Sequence, residues 1–292
     1  MKINSIQWVL DQHKKTGLSI WDLAIREESA ETGADETAIR AQLQKTLEAM
    51  RAAVKGGLRA DMRSVTGMTG GDAYRYHAHA GEGKALLGPL AAKAISYALA
   101  TSEYNAAMGV IVAAPTAGSA GILPGLLIAA QEELGFDDTI AQNALMTASV
   151  VGCVIAEKAT LAGAVGGCQA ECGSAAAMAA AALCCIKGAD LETCMHGAAL
   201  ALKNTLGLAC DPVAGLVEVP CVKRNGVYTI LALTAADMAL AGIRSFIPPD
   251  EVIEAMGEIG RVMPSCIRET AEGGLATTAT GLLARNRLFG EK

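Results

Sequence analysis

The stretch G-G-C-Q-A-E-C-G-S-A-A-A-M-A-A-A-A, from Gly166 to Ala182, joins a glycine-rich entrance bearing two cysteines to an alanine run broken only by Met178. Alanine is the strongest helix former, so a helix is expected over residues 174–187, with its alanine and methionine stripes turned into a core. Cys168 stands at the entrance to that helix, where a thiolate meets backbone N–H groups and the helix dipole. Downstream, A-C-D-P-V-A-G-L-V-E-V-P-C-V-K-R-N runs from Ala209 to Asn225 and holds Cys210 and Cys221. Pro212, Gly215 and Pro220 between them predict a turn-rich loop that presents both thiols. Three thiols brought together in this way read as a metal or cluster site. Cys172 lies four residues after Cys168, on the same face of a helix, and is the rival for a ligand position.

Composition narrows the fold. Apolar residues make up 52% of the 292 residues but aromatics only 3%, and 32 residues are glycine. A core of small side chains favours closely packed helices. The expected fold is all-α: a single large helical domain with loops converging on the cluster site. Residues 1–60 read as an N-terminal packing or docking region and residues 61–292 as the helical catalytic core, in one continuous domain. The net charge of −6, with both signs interspersed, provides no basic stripe, and no nucleic-acid function is expected. Nine cysteines without a regular framework do not read as a secreted disulfide scaffold. With no apolar signal run at the start, the expected compartment is the reducing cytoplasm. Tyr104 to Gln131 is long enough to span a bilayer and carries no charge. Pro115, Thr116, Ser119 and Pro124 interrupt it and no aromatic belt or basic loop flanks it, so buried helices are expected, with a membrane transporter component as the alternative.

Three amphipathic helices are expected in the first sixty residues, begun by Ser5, by Ser19 with Asp22 as a capping box, and by Asp35. In the third, Ile39, Leu43, Leu47, Met50 and Val54 form one apolar face, and Gly56 and Gly57 end it. Met62 to Lys84 reads as a polar loop bordering a cleft. Its H-A-H pair, His77 and His79, lacks further ligands, and G-E-G-K at Gly81 to Lys84 fails as a phosphate loop because Ala78 and Ala85 stand at required positions. Helices are then expected over 86–102, 139–158, 227–242 and 250–263. Between the first two, A-A-P-T-A-G-S-A-G-I-L-P-G, from Ala113 to Gly125, breaks the helix and exposes N–H groups suited to an anion, with Thr116 and Ser119 as side-chain donors. Lys158 reads as a snorkelling surface lysine. Cys153, Cys184, Cys185 and Cys194 read as small buried hydrophobes, and the Cys194-x-His196 pair lacks partners for zinc. The segment V-E-V-P-C-V-K-R-N-G-V-Y-T-I favours a hairpin, with Lys223 to Gly226 as its tip. Basic residues there could instead orient a carboxylate, Arg224 better than Lys223.

At these residues the sequence resembles the catalytic alpha subunit of the iron-sulfur-dependent L-serine dehydratases. The likeness rests on the three cysteine motifs, on Ala113 to Gly125 and on R-E-T-A-E-G-G-L-A from Arg268 to Ala276, in matching order after about Thr101. It implies a 4Fe-4S cluster held by Cys168, Cys210 and Cys221, no pyridoxal phosphate, and a lyase of amino-acid degradation and gluconeogenesis that converts L-serine to pyruvate and ammonia. A ligand at the G-C-Q cysteine excludes Cys172 from the set. The resemblance also implies substrate binding by Thr116, Gly118, Ser119, Arg224, Arg268, Thr270 and Gly273. Related sequences often carry asparagine at the position of Ala117.

Three thiolates leave one iron of a cubane open, and an open iron suits a Lewis acid for a leaving hydroxyl. The general base stays unassigned, with Asp211, Glu218 and Glu171 as candidates. The S-S-S-H-T motif of full-length relatives is absent here, which implies a beta subunit as partner and higher oligomers of alpha-beta pairs. In single-chain relatives the R-E-T segment leads to a C-terminal cysteine; here Cys266 precedes that segment. L-cysteine and L-threonine are the alternative substrates.

Overall fold

The first three helices start where the capping side chains place them. In this computed structural model, which describes residues 3–290, they are α1 (Ile6–Thr16), α2 (Ile20–Thr32) and α3 (Glu36–Gly57). Ser5, Ser19 and Asp35 each accept a backbone N–H three residues on, at 3.0, 3.2 and 2.8 Å. These caps satisfy donors that the first turn of a helix otherwise leaves without partners. Ile39, Leu47, Met50 and Val54 are buried and Leu43 packs beside them, so the expected apolar face of α3 is the face it buries.

The polar loop expected over Met62 to Lys84 contains a helix, α4 (Asp72–Gly81). Its cap comes from elsewhere in the chain. The buried Glu103 carboxylate accepts the N–H groups of Asp72 and Ala73 at 2.8 and 3.3 Å, which no local pattern announces. His77 Nδ1 lies in hydrogen-bonding contact with Ser96 Oγ at 3.1 Å. α5 (Pro89–Ala106) follows, then an irregular segment with one short 3₁₀ turn, α6 (Ile122–Leu134), α7 (Asp138–Lys158) and the single turn α8 (Gly163–Gly166). A π-helical turn over Gln169–Gly173 leads into α9 (Ser174–Ile186).

α9 is the axis of the fold. Every residue from Ser174 to Cys185 is buried, and the helix packs against α6, α7 and the two helices that follow, α10 (Leu191–Lys203) and α11 (Cys221–Leu240). α12 (Pro249–Val262) lies across α10, and α13 (Ala279–Phe289) rests on the loop between Cys210 and Cys221. No strand forms among the described residues, and the fold is all-α; the isolated β-bridge joins Cys210 to Arg268 in parallel. α10 and α13 have no counterpart among the helices expected from sequence.

The expected hairpin over residues 217–230 is absent. α11 begins at Cys221, and Lys223 to Gly226 form its first turns instead of a solvated tip. Tertiary partners outweigh the turn preference of K-R-N-G. Lys223 pairs with Asp72, Arg224 with Asp211, and Asn225 Nδ2 donates to the carbonyls of Gly118 and Cys221 at 2.8 and 2.9 Å. Gly226 lets α11 press against Leu99 and Ile95 of α5, since a Cβ at that position would come to 3.4 Å of both side chains.

Among the described residues two helices, Asp138–Lys158 and Gln169–Ile186 with its π turn included, are long and apolar enough to cross a membrane, yet 67% and 94% of their apolar windows are buried within the protein. The uncharged run from Tyr104 to Gln131 is divided between the end of α5, the irregular segment and α6. Lys158 pairs with Glu254 on α12, as a surface lysine would. The nine cysteines are all unpaired.

Small residues set the helix spacing. A Cβ on Gly125 of α6 would stand 2.6 Å from the backbone nitrogen of Ala98 and 2.8 Å from its Cα, so α5 and α6 meet backbone to backbone. Gly125→Ala is therefore expected to lower stability by about 1–3 kcal/mol through overpacking. Gly81→Ala, where nothing lies within 4 Å, should leave it unchanged or slightly raised, and urea unfolding of the two variants checks the contrast.

Candidate active site

The π turn decides where the first cysteine goes. Gly167 takes φ 73°, and a Cβ there would come within 2.6 Å of Met263 Sδ and 2.9 Å of Leu208 O, so glycine is the residue that fits. The fully buried Gln169 then fixes the turn: its Nε2 donates to Met256 O at 3.1 Å and its Oε1 accepts Gly207 N–H at 2.9 Å. Cys168, Glu171 and Cys172 are thereby held inside the protein, and a π turn at such a place is a frequent mark of a functional site.

Cys210 arrives from the other side. Its N–H donates to Ile267 O at 2.8 Å and its carbonyl accepts Glu269 N–H at 2.7 Å, which binds the R-E-T segment to the cysteine loop. Cys168, Glu171 and Cys210 place one ligand atom each within 4.8 Å of one another, all buried. Cys221, buried at the first turn of α11, is not part of that close group, but the Cys168 charge acts on it. Cys172 also lies within hydrogen-bonding reach of Cys168 and is 1% exposed.

Electrostatics separate these thiols. Contact with the Cys172 and Cys210 thiols, with help from the Arg224 charge, holds Cys168 well below the usual thiol range against the opposing effect of burial. The neighbouring Cys168, then burial, pushes Cys210 up, and its Sγ lies 3.8 Å from the acceptor Glu171 Oε2. Burial, then the Cys168 charge, pushes Cys221 up to about 12. Glu171 rises to about 7, chiefly because it is buried and secondarily because Glu269 and Cys168 are near. Three buried thiols with a guanidinium beside them suit an anionic metal cluster with thiolate ligands, so the donor set fits the expected cofactor.

The segment from Ala113 to Gly125 contributes its turn to the same place. Thr116 Oγ1 donates to Glu171 Oε1 at 2.8 Å and lies 3.2 Å from Ser119 Oγ. Gly118 leaves room for that carboxylate: a Cβ there would stand 3.1 Å from Glu171 Oε1. The turn is held by Asn105, which donates to Ala117 O at 3.2 Å, and by Asn225, whose Oδ1 accepts Gly121 N–H at 2.9 Å. The N–H of Gly121 at the start of α6, where an anion is expected from sequence, is thus already taken.

Other expected residues have structural partners. Asp211 accepts from Arg224 Nη2 at 2.9 Å and from Leu275 N–H at 2.8 Å, while Arg224 Nη1 donates to Ala209 O at 3.0 Å. Glu218 is buried and accepts from Thr66 at 2.8 Å, which ties the loop before α4 to the cysteine loop. Thr270 donates to Ser265 O at 3.0 Å and lines a separate cavity of about 760 Å³ with Ala214, Arg285 and Phe289. Gly273 packs on Cys266, whose carbonyl oxygen would lie 2.7 Å from a Cβ at that glycine. Arg268 has a buried Nε with no hydrogen-bond partner. Glu269, passed over in the sequence, holds φ 64° and is pushed up by burial and by Cys168, with Ala164 N–H as its donor. Its place within R-E-T, beside Arg268, was the available signal.

Comparison with known proteins agrees with this arrangement. The family profile described as "Serine dehydratase alpha chain" matches residues 15–276. The "Probable L-serine dehydratase, alpha chain" of Bacillus subtilis (strain 168) is 49% identical over 286 residues, covering 98% of this chain and 95% of that protein. The "L-serine dehydratase, alpha chain" of Peptoniphilus asaccharolyticus is 45% identical over 289 residues, covering 99% of each. The "L-serine dehydratase" of Streptomyces coelicolor is 38% identical over 276 residues, which are 90% of this chain but 58% of that longer protein. With the family profile over residues 15–276 and two relatives similar over nearly the whole chain, the chain belongs to the serine dehydratase alpha chain family.

Proposed function

We propose that the chain is the catalytic alpha subunit of an L-serine ammonia-lyase that forms pyruvate and ammonia, with a 4Fe-4S cluster held by Cys168, Cys210 and Cys221. The observation that carries this reading is the buried convergence of Cys168 and Cys210 with Glu171, with Cys221 within reach of the Cys168 charge, in a chain of this family. When bound, such a cluster supplies an open iron that acts as a Lewis acid on the leaving β-hydroxyl.

The chain's own residues bind and orient the substrate. Arg268 lies on the strand-like segment bridged to Cys210, and its unpartnered Nε offers the substrate carboxylate a charge-assisted hydrogen bond. Arg224 holds the cysteine loop through Asp211 and puts a positive charge beside Cys168, which favours the thiolate needed for ligation. Thr116 orients the Glu171 carboxylate, and the small Gly118 keeps the space beside it open.

Asp211 and Glu218 are each occupied in holding loops together and Glu171 accepts from Thr116, so the group that takes the Cα proton is assigned to a partner chain. The Streptomyces relative extends well beyond the matched region, leaving room in a single chain for what a beta subunit brings here. Nine unpaired cysteines and an oxygen-sensitive cofactor suit the cytoplasm.

Two expected outcomes test the proposal. Anaerobically purified protein should carry about four iron and four sulfide per chain, and Cys168→Ala, Cys210→Ala and Cys221→Ala should each lose them, whereas Cys172→Ala should keep them. Retention of a full cluster by all three ligand variants would overturn the assignment. In the complex with its partner chain, Arg268→Gln should raise KM for L-serine at least about tenfold, because a charged hydrogen bond to the carboxylate is lost. Steady-state kinetics at fixed iron content reads that shift.

A further inference from the structure

Three side chains hold the turn that carries Thr116 and Ser119. Asn105 Nδ2 donates to Ala117 O at 3.2 Å, and Thr116 Oγ1 itself donates to Glu171 Oε1 at 2.8 Å. Asn105 and Thr116 are both partly exposed, so water can take over a bond that either of them loses. The third hold is Asn225 of α11, which is 1% exposed. Its Oδ1 accepts Gly121 N–H at 2.9 Å, and its Nδ2 donates to Gly118 O at 2.8 Å and to Cys221 O at 2.9 Å. One amide thereby spends both donor hydrogens and an acceptor lone pair on three backbone groups, at a depth where water does not replace them.

Helix geometry explains how a single side chain reaches both segments. Residues four apart share a face of a helix, so Asn225 lies in one row with Cys221, and Thr229 continues that row. Thr229 is fully buried and donates to Asn225 O at 2.7 Å. On the other side the turn has no room to yield: a Cβ on Gly121 would stand 2.3 Å from Ala98 O and 3.0 Å from Asn225 Oδ1. The turn is thus clamped between α5 and the Asn225 amide. A carboxylate of the same shape could not take over, because the two carbonyls require donors and an ionised carboxylate has none.

We propose that Asn225 is a positioning residue for the reaction: it locks the turn bearing Thr116 and Ser119 to the start of α11, so that the turn and Cys221 keep one spacing and a change at Cys221 is transmitted to the turn. This rests on the reading of the turn as substrate-binding and of Cys221 as a cluster ligand, and adds to it the group that sets the two in register. Register matters because a misplacement of about 1 Å between a substrate and the group it reacts with can cost roughly 100-fold in rate.

Hydrogen exchange of the full-length chain, read by mass spectrometry over residues 116–121 and 221–225, tests the coupling. In Asn225→Ala both segments should exchange about 10- to 100-fold faster, and by a similar factor, because three buried hydrogen bonds are lost. Thr229→Val removes a hydrogen bond from the same buried face without touching the turn, and should leave residues 116–121 at the parental rate. Loading the parent with iron and sulfide should slow exchange in both segments, whereas in Asn225→Ala the slowing should be confined to residues 221–225. In the cluster-loaded complex with the partner chain, kcat/KM for L-serine should fall at least about tenfold in Asn225→Ala at unchanged iron content, and by less than about twofold in Thr229→Val. Where Asn225→Ala does not fold, Asn225→Asp, which keeps the volume and the acceptor for Gly121 but removes both donations, reads the same quantities. Parental exchange at residues 116–121 in the Asn225 variants, the same response of that segment to iron in parent and variant, or an equal fall in kcat/KM in Thr229→Val would each overturn the assignment. If the parent takes up no cluster or does not act on L-serine, the proposed reaction fails, and the exchange of the two segments still decides whether Asn225 joins them.

Discussion

The Asp211 carboxylate is the joint on which the site depends. One oxygen takes Arg224 from α11, the other takes the N–H of Leu275 from the tail, and the neighbouring Cys210 holds Ile267 and Glu269 through its backbone. Three segments far apart in sequence are thereby fixed against one cysteine. The ion pair is largely buried, with side-chain exposures of 18% and 8%, so removal of either partner would leave a charge without compensation. Gly274 accepts this arrangement because it has no Cβ to meet Asp211 and because its φ of 60° suits glycine.

Around that joint the core works by proximity of backbones. With few aromatics, the protein buries alanine, glycine and cysteine along α9 and lets neighbouring helices approach until glycines touch carbonyls, as Gly57 does at Ala100 and Gly121 at Ala98. Dense packing of this kind is stiff, because a methylene more or less at such a contact has no slack to absorb it. A stiff scaffold suits a site in which several thiols and carboxylates are kept together despite their mutual repulsion.

Much of the fold was legible in local sequence. The caps at Ser5, Ser19 and Asp35 are side chains reaching their own helices, and their effect depends on nothing distant. The failures share one cause. Helix α4 begins because Glu103 of α5 caps it, and K-R-N-G joins a helix because Asp72, Asp211 and Gly118 lie where they do. A window of a few residues contains none of those partners.

The sequence by itself determined the small-residue helical core, the three cysteine positions and, with the tail motif, the family. It did so because helix propensity, capping and turn chemistry act over a few residues and motif spacing is carried in the chain. Only the tertiary structure decided what each polar group is free to do. It engaged Arg224 with Asp211 and Glu218 with Thr66, and left Arg268 Nε without an acceptor. The physical reason is that a buried charge acquires its role from the groups that satisfy it or fail to, and those groups come from parts of the chain that only folding brings together.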